Sequence, residues 1–394
     1  MTRLFQVMAD KKASDIFVSV GAPINIKING NAVPVNQTIM TAETVKQLIY
    51  EVLNERQIKE YEEEMELNTA YALENVGAFR ISAFRQKGSP AVVVRFIPGT
   101  IPALDTLGVP EVLKEIIMQK RGLILMVGAT GSGKSTSLSS MLDYRNGLKS
   151  GHILTLEDPV EFIFTNKKSI VNQREIGTDT KAYEIALRNA LRQAPDCILI
   201  GEIRDKQTMA AALAYSQSGH LVLATLHANN SYHAMNRIIN FYPLENRPSL
   251  LLDLSAALQS IVSQRLVRTK TGARVVACEV LLNTRHVGEL IEKGEINEIK
   301  DALEKSMAPG SQTFEQALFK LFMEGKITQE EAMSNADSAT NMLWLINQAT
   351  AGDITNSGAQ KPAAAAAAPE KKEGVLSNAG GDSSFNNFKI DMNA

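Results

Sequence analysis

The sequence predicts an α/β fold centred on a P-loop nucleotide-binding domain, with a smaller α/β domain before it and a disordered tail after it. Three observations carry that prediction. Gly128-Ala129-Thr130-Gly131-Ser132-Gly133-Lys134-Ser135 fits G-x-x-x-x-G-K-[ST] without a mismatch. From Glu111 onward, short apolar runs alternate with helical patterns. From Gly352 onward, the composition turns to Ala, Ser, Asn, Gly and Lys, including six consecutive alanines between Pro362 and Pro369.

With 394 residues and 44% hydrophobic content, the chain is long enough for two cored domains. A formal net charge of −2 leaves no basic footprint for nucleic acid, which disfavours a helicase or recombinase. The two cysteines, Cys197 and Cys278, stand alone in apolar runs and read as buried thiols. No uncharged apolar run approaches the ~18 residues of a spanning helix, and no secretory h-region opens the chain. A soluble, cytoplasmic protein is expected, with no membrane insertion of its own.

Residues 1–98 form the expected N-terminal domain. Ile24, Ile26 and Ile28 alternate with polar residues as in a half-buried strand, and Asn29-Gly30-Asn31 supplies its turn. Thr41 is a candidate N-cap for a helix with Val45, Leu48, Ile49, Val52 and Leu53 on one face. The acidic run Glu60 to Glu66 reads as a solvated helix face, with a partner surface as the alternative. A hairpin follows: Ala78 to Arg85, a Lys87-Gly88-Ser89-Pro90 turn, then Ala91 to Phe96, carrying Arg80, Arg85 and Arg95. Residues 99–110 read as a linker or hinge, opened by Pro98-Gly99.

Residues 111–348 form the expected nucleotide domain. Leu123 to Val127, Ile153 to Leu156, Cys197 to Gly201 and Leu221 to Thr225 have the character of buried parallel strands. Beyond Asn246 the pattern reads as helical, with Leu250, Leu254, Leu258, Ile261 and Val262 in register. A strand from Val275 to Leu282 and further helices follow. Residues 349–394 read as the disordered tail, with Phe385 to Met392 a possible docking motif or a frayed end.

Glycines let the loop backbone turn successive N–H groups, and the N-terminus of the helix from Thr136, towards phosphate oxygens. Lys134 then reaches the β- and γ-phosphates of a nucleoside triphosphate, and the Ser135 hydroxyl takes a Mg²⁺ position. Glu202, directly after a buried strand, suits the water that attacks the γ-phosphate, although such a carboxylate also serves as a helix cap. Arg204 and Asp205 beyond it either share in that chemistry or form a local ion pair. Glu157, Asp158 and Glu161 at another strand end suit metal and water positioning, or form a plain acidic turn. His220 and His227 bracket a strand and are both expected near the active edge. Arg80, Arg85 and Arg95 are candidate arginine fingers.

These segments together resemble the secretion-ATPase superfamily that powers type IV pili and type II secretion. Glu157 to Phe162 resembles its acidic box, Leu199 to Asp205 its Walker B element, and Gly219 to His227 its histidine box. The resemblance implies a PAS-like N-terminal domain, a RecA-like ATPase domain, and a homo-hexameric ring driven by ATP and Mg²⁺. It places the arginine fingers at Arg80 and Arg95. The short N-terminal domain and the want of a four-cysteine zinc module are similar to the PilT/PilU retraction ATPases, not to the extension and secretion branches. Three features lean towards the PilU type: Phe17 where the family commonly has histidine, Arg285 to Ile291 in place of a helical retraction motif, and the long tail. By resemblance, the partners are a PilT-like ATPase and the inner-membrane platform protein. The alternative roles are an ATP-binding adaptor with little turnover and an extension or secretion ATPase.

Overall fold

The structure, a computed structural model, describes residues 1–28, 30–73, 76–98 and 100–356. Met1 to Ile346 form one compact unit that holds two sheets.

The first sheet has six strands: β1 (Asp15–Ser19), β2 (Asn25–Ile28), β3 (Asn31–Pro34), β4 (Glu66–Leu73), β5 (Gly77–Gln86) and β6 (Ser89–Pro98). Their order is β3-β2-β1-β6-β5-β4, and every pairing is antiparallel. Helices α1 (Thr2–Asp10), α2 (Ala42–Tyr50) and α3 (Glu55–Glu64) accompany it. Phe5 of α1 stacks on Phe79 of β5, with ring centroids 4.1 Å apart. Val45, Ile49, Tyr61, Ile81 and Val94 complete the buried layer. Side chains alternate along a strand, so Arg80, between Phe79 and Ile81, faces the other way and is exposed. Thr41 caps α2 as expected, and α3 exposes Glu60, Glu62, Glu63 and Glu64 while burying Tyr61. Helix α2 stops at Tyr50, so Val52 and Leu53 are buried just past its end.

The stretch read as a linker packs down. Leu104 is buried, and Ser140 Oγ donates to the carbonyl of Pro102 at 2.7 Å.

The second sheet has seven strands: β7 (Gly122–Val127), β8 (Gly151–Glu157), β9 (Ser169–Glu175), β10 (Cys197–Ile200), β11 (Leu221–Leu226), β12 (Leu258–Arg268) and β13 (Arg274–Leu282). Their order is β13-β12-β7-β11-β10-β8-β9, parallel except for the edge strand β13. Every residue of β7, β10 and β11 is buried. Leu123, Leu125 and Val127 pack in one layer, while Ile124 and Met126 pack in the other. The helices are α4 (Val112–Ile117), α5 (Lys134–Leu148), α6 (Tyr183–Ala190), α7 (Lys206–Gln217), α8 (Ser231–Asn240) and α9 (Arg247–Ala257). They are followed by α10 (Arg285–Lys293), α11 (Glu298–Glu304), α12 (Phe314–Met323), α13 (Gln329–Asn335) and α14 (Ala339–Asn356).

Two expectations need correction. The helical run past Asn246 ends at Ala257, and Leu258, Ile261 and Val262 belong to β12. A place beside β7, buried on both faces, suits the β-branched Ile261 and Val262 better than a further helical turn. Helix α14 continues to Asn356, past residue 348, where the tail was expected to begin. The rest of that tail, 357–394, lies outside the described residues, and with it the run Phe385 to Met392 read as a docking motif or a frayed end.

Candidate active site

Parallel strands deliver their following residues to one edge of a sheet, and four strands of the second sheet do so here. β7 leads into the phosphate loop, β8 ends at Glu157, β10 precedes Glu202, and β11 precedes His227. Between this edge and the hairpin of the first sheet lies a cavity of about 640 Å³. Thr130, Gly131, Gly133, Lys134, Ser135 and Thr136 line one wall; Arg80 and Arg95 line another. Gly128 and Ser132 are buried beneath the loop, and Ala129 is exposed outside that cavity.

Gly133 adopts φ +86°, a left-handed conformation open to glycine, and starts α5 immediately beyond. Lys134 is buried, and its Nζ donates to the carbonyls of Gly128 and Ala129 at 2.8 and 2.9 Å. Burial pulls its pKa down, while Glu161 and Glu202 draw it back up. Ser135 Oγ donates to Glu161 Oε1 at 2.8 Å.

Glu157 is buried at the end of β8. Burial outweighs hydrogen bonds from Thr155 Oγ1 (2.6 Å) and Gln173 Nε2 (3.4 Å) and pushes its pKa up to about 7. Asp158 and Glu161 stand exposed on the cavity wall. Glu202 accepts from Arg204 Nε at 2.7 Å, and His227 Nε2 lies 3.5 Å from its other oxygen. Arg204 also donates to Asp158 at 3.2 Å. The expected Arg204–Asp205 pair is therefore split. Asp205 instead caps α7, accepting from Thr208 N at 2.8 Å.

His220 is not brought to the site. It precedes β11, whereas His227 follows it, and six strand residues at ~3.3 Å each separate the two by roughly 20 Å. His220 Nδ1 instead lies 3.1 Å from Ser218 Oγ at the sheet's far edge. Among the arginines, Arg80 and Arg95 are direct cross-strand neighbours on β5 and β6. Arg95 Nε also donates to the buried carboxylate of Asp15 at 2.9 Å. Arg85 points elsewhere, pairing with Glu62 at 2.6 Å and covering the Tyr61 ring.

Sequence reasoning missed three contributors. Arg204 was visible beside Glu202, but its reach to Asp158 was not. Tyr183 lines the cavity, with burial pushing its hydroxyl pKa up. Gln264 of β12 bonds to the loop from the far side. Neither Tyr183 nor Gln264 lies in a recognisable motif.

The oxygen ligands that line the site are the Ser135 hydroxyl and the carboxyl groups of Glu157, Asp158, Glu161 and Glu202. Among the described residues, no three His, Cys, Asp or Glu groups cluster tightly enough to hold a metal alone. That donor set fits Mg²⁺, which binds through few protein oxygens plus water and phosphate.

The family model described as "Type II/IV secretion system protein" matches residues 1–290. The type IV pilus ATPase PilU of Pseudomonas aeruginosa is 45% identical over 352 residues, covering 89% of this chain and 92% of that protein. The retraction ATPase PilT of the same organism is 38% identical over 341 residues, covering 86% of this chain and 99% of that protein. A crystal structure of the retraction motor PilT with bound ADP matches with a TM-score of 0.82 at 38% identity, over 86% of this chain and 98% of that one. With its phosphate loop, acidic box, Glu202 and His227 assembled at one sheet edge, the chain belongs to the type II/IV secretion system protein family, among the pilus ATPases of the PilT/PilU type.

Proposed function

We propose that this chain is an ATP-hydrolysing motor of the PilU type that assists type IV pilus retraction and twitching motility. It works as a homo-hexamer in the cytoplasm, at the inner-membrane face, beside a PilT-like ATPase and the platform protein. One observation carries the reading: Lys134, Ser135, Glu202 and the Arg80–Arg95 pair all border one cavity.

On nucleotide binding, Lys134 exchanges the carbonyls of Gly128 and Ala129 for β- and γ-phosphate oxygens. Ser135, Asp158 and Glu157 would hold Mg²⁺, which would supply positive charge against the phosphates. Glu202 orients the attacking water and takes its proton, and His227 steadies that carboxylate. Arg80 and Arg95 supply positive charge as the γ-phosphate departs. Turnover then shifts the N-terminal domain of one subunit against its neighbour's nucleotide domain. Cys197 on β10 and Cys278 on β13 are buried on separate strands, which supports the retraction branch over the zinc-bearing extension branch.

The test is steady-state ATPase activity of the full chain beside Glu202→Ala, with and without a PilT-like partner. Turnover that falls by about 10²–10⁴-fold in the variant supports the motor reading. Turnover seen only with the partner supports an accessory motor. No turnover in either setting leaves an ATP-binding adaptor and sinks the proposal.

A further inference from the structure

Gln264 stands on β12 beside the phosphate-loop strand, and only 2% of it is exposed. Its amide is used at both ends. Nε2 donates to the carbonyl of Ser132 at 2.7 Å, and Oε1 accepts from Ser137 Oγ at 2.8 Å. Ser132 lies within the phosphate loop and Ser137 one turn into α5, so a single side chain ties loop to helix. A neutral amide is suited to this, because it donates and accepts at once.

The loop also rests on this residue sterically. A Cβ at Gly128 would come within 2.6 Å of the Gln264 carbonyl oxygen, and one at Gly133 within 2.7 Å of its Nε2. Neighbours hold the strand in place. Ser263 Oγ donates to the buried Glu279 carboxylate at 2.8 Å, and that carboxylate also accepts from Ser231 N at 2.7 Å. Arg265 donates to the carbonyl of Asn229 at 3.2 Å and pairs with Asp337.

In a trans peptide, the C=O and N–H point in opposite directions. Holding the Ser132 carbonyl on Gln264 therefore turns the Gly133 N–H the other way, towards the cavity that Gly133 lines. The geometry points to Gln264 as a positioning residue that aims the Gly133 N–H at bound phosphate. This rests on the nucleotide-binding reading of the loop and adds to it a residue outside every motif.

The experiment measures binding of fluorescent ADP, and KM and kcat for ATP, on the full chain. Gln264→Glu keeps the shape and the acceptor but loses the donor; Gln264→Met loses both; Ser137→Ala frees one end of the amide. Both Gln264 variants should bind ADP about tenfold more weakly and raise KM more than they lower kcat, and Ser137→Ala should cost about threefold. Thermal melts with and without saturating ADP separate positioning from bracing. A positioning role shrinks the shift that ADP induces. An equal drop in Tm with and without ADP, at unchanged affinity, would overturn the inference. So would affinities within about twofold of wild type in both Gln264 variants. If Gln264→Met fails to fold, Gln264→Glu and Ser137→Ala decide. A wild-type chain that binds no ADP would sink the reading of the site itself, a result distinct from any difference among variants.

Discussion

In the seven-stranded sheet, β7, β10 and β11 are buried at every position and offer chemistry only where they end. In the six-stranded sheet, β5 and β6 bury one face and carry their chemistry mid-strand on the other, as Arg80 beside Arg95. Parallel strands covered by helices place short groups such as Glu202 with little freedom. An antiparallel face presents long cations that reach across a gap. Like charges directly opposite on a sheet are unfavourable, and Asp15 offsets only the Arg95 half of this pair. Binding of an anion would relieve the remainder, so the six-stranded sheet carries a like-charge repulsion that a bound phosphate would ease.

The sharpest test of the contrast is Lys134→Ala, which removes the cation that the loop after β7 delivers to the site. Turnover should fall by at least about 10³-fold, measured as phosphate release. Removing the strand-face cations comes next. Arg80→Ala and Arg95→Ala should each lower kcat by about 10²-fold or more, while Arg85→Ala, already paired with Glu62, should change it less than about twofold. Equal effects from all three would break the distinction between the two faces of the hairpin.

A third test concerns Glu157. Folded, it keeps its proton up to about pH 7, whereas the ordinary value is 4.5. Between those values the folded state binds more protons than the unfolded chain, so stability falls as pH rises from about 4.5 to 7. Glu157→Gln cannot ionise. Its stability relative to wild type should therefore grow by roughly 2–3 kcal/mol between pH 5 and pH 8, read from melts at each pH. A flat difference would mean that the carboxylate is not buried in its acid form. The smallest effect separates the two ends of β11. His227→Ala should slow turnover about tenfold, and His220→Ala should leave it within about twofold.

Strand-end chemistry was legible in the sequence because each group follows an unbroken apolar run: Leu123 to Val127 before the loop, Cys197 to Ile200 before Gly201 and Glu202. The hairpin was legible from Lys87-Gly88 between alternating strands. Where the reading failed, the reason is geometric. Leu250, Leu254 and Leu258 keep a helical period across a helix end, so β12 was absorbed into α9. β9 is an edge strand that exposes Ile170 and Asn172, and it lacks the continuous apolar run of its neighbours. Bracketing a strand means standing at its opposite ends, so His220 and His227 could not both serve one edge. Tyr183 and Gln264 meet the site only through the fold, and no local pattern announces either.

Gly201 N donates to the carbonyl of Leu156 at 2.7 Å, which brings the ends of β10 and β8 together just before Glu202 and just at Glu157. A Cβ at position 201 would sit 2.7 Å from the Tyr183 hydroxyl, 3.1 Å from Leu156 O and 3.2 Å from Glu157 Cα. Glycine is held there by want of room and not by an unusual backbone angle. The position acts as a spacer of fixed, minimal width between two carboxylates. Even alanine would register as a change in their separation. Alanine here would press on the Tyr183 hydroxyl and on the backbone of Leu156 and Glu157, so the spacing of the two carboxyl-bearing strand ends rests on one missing atom.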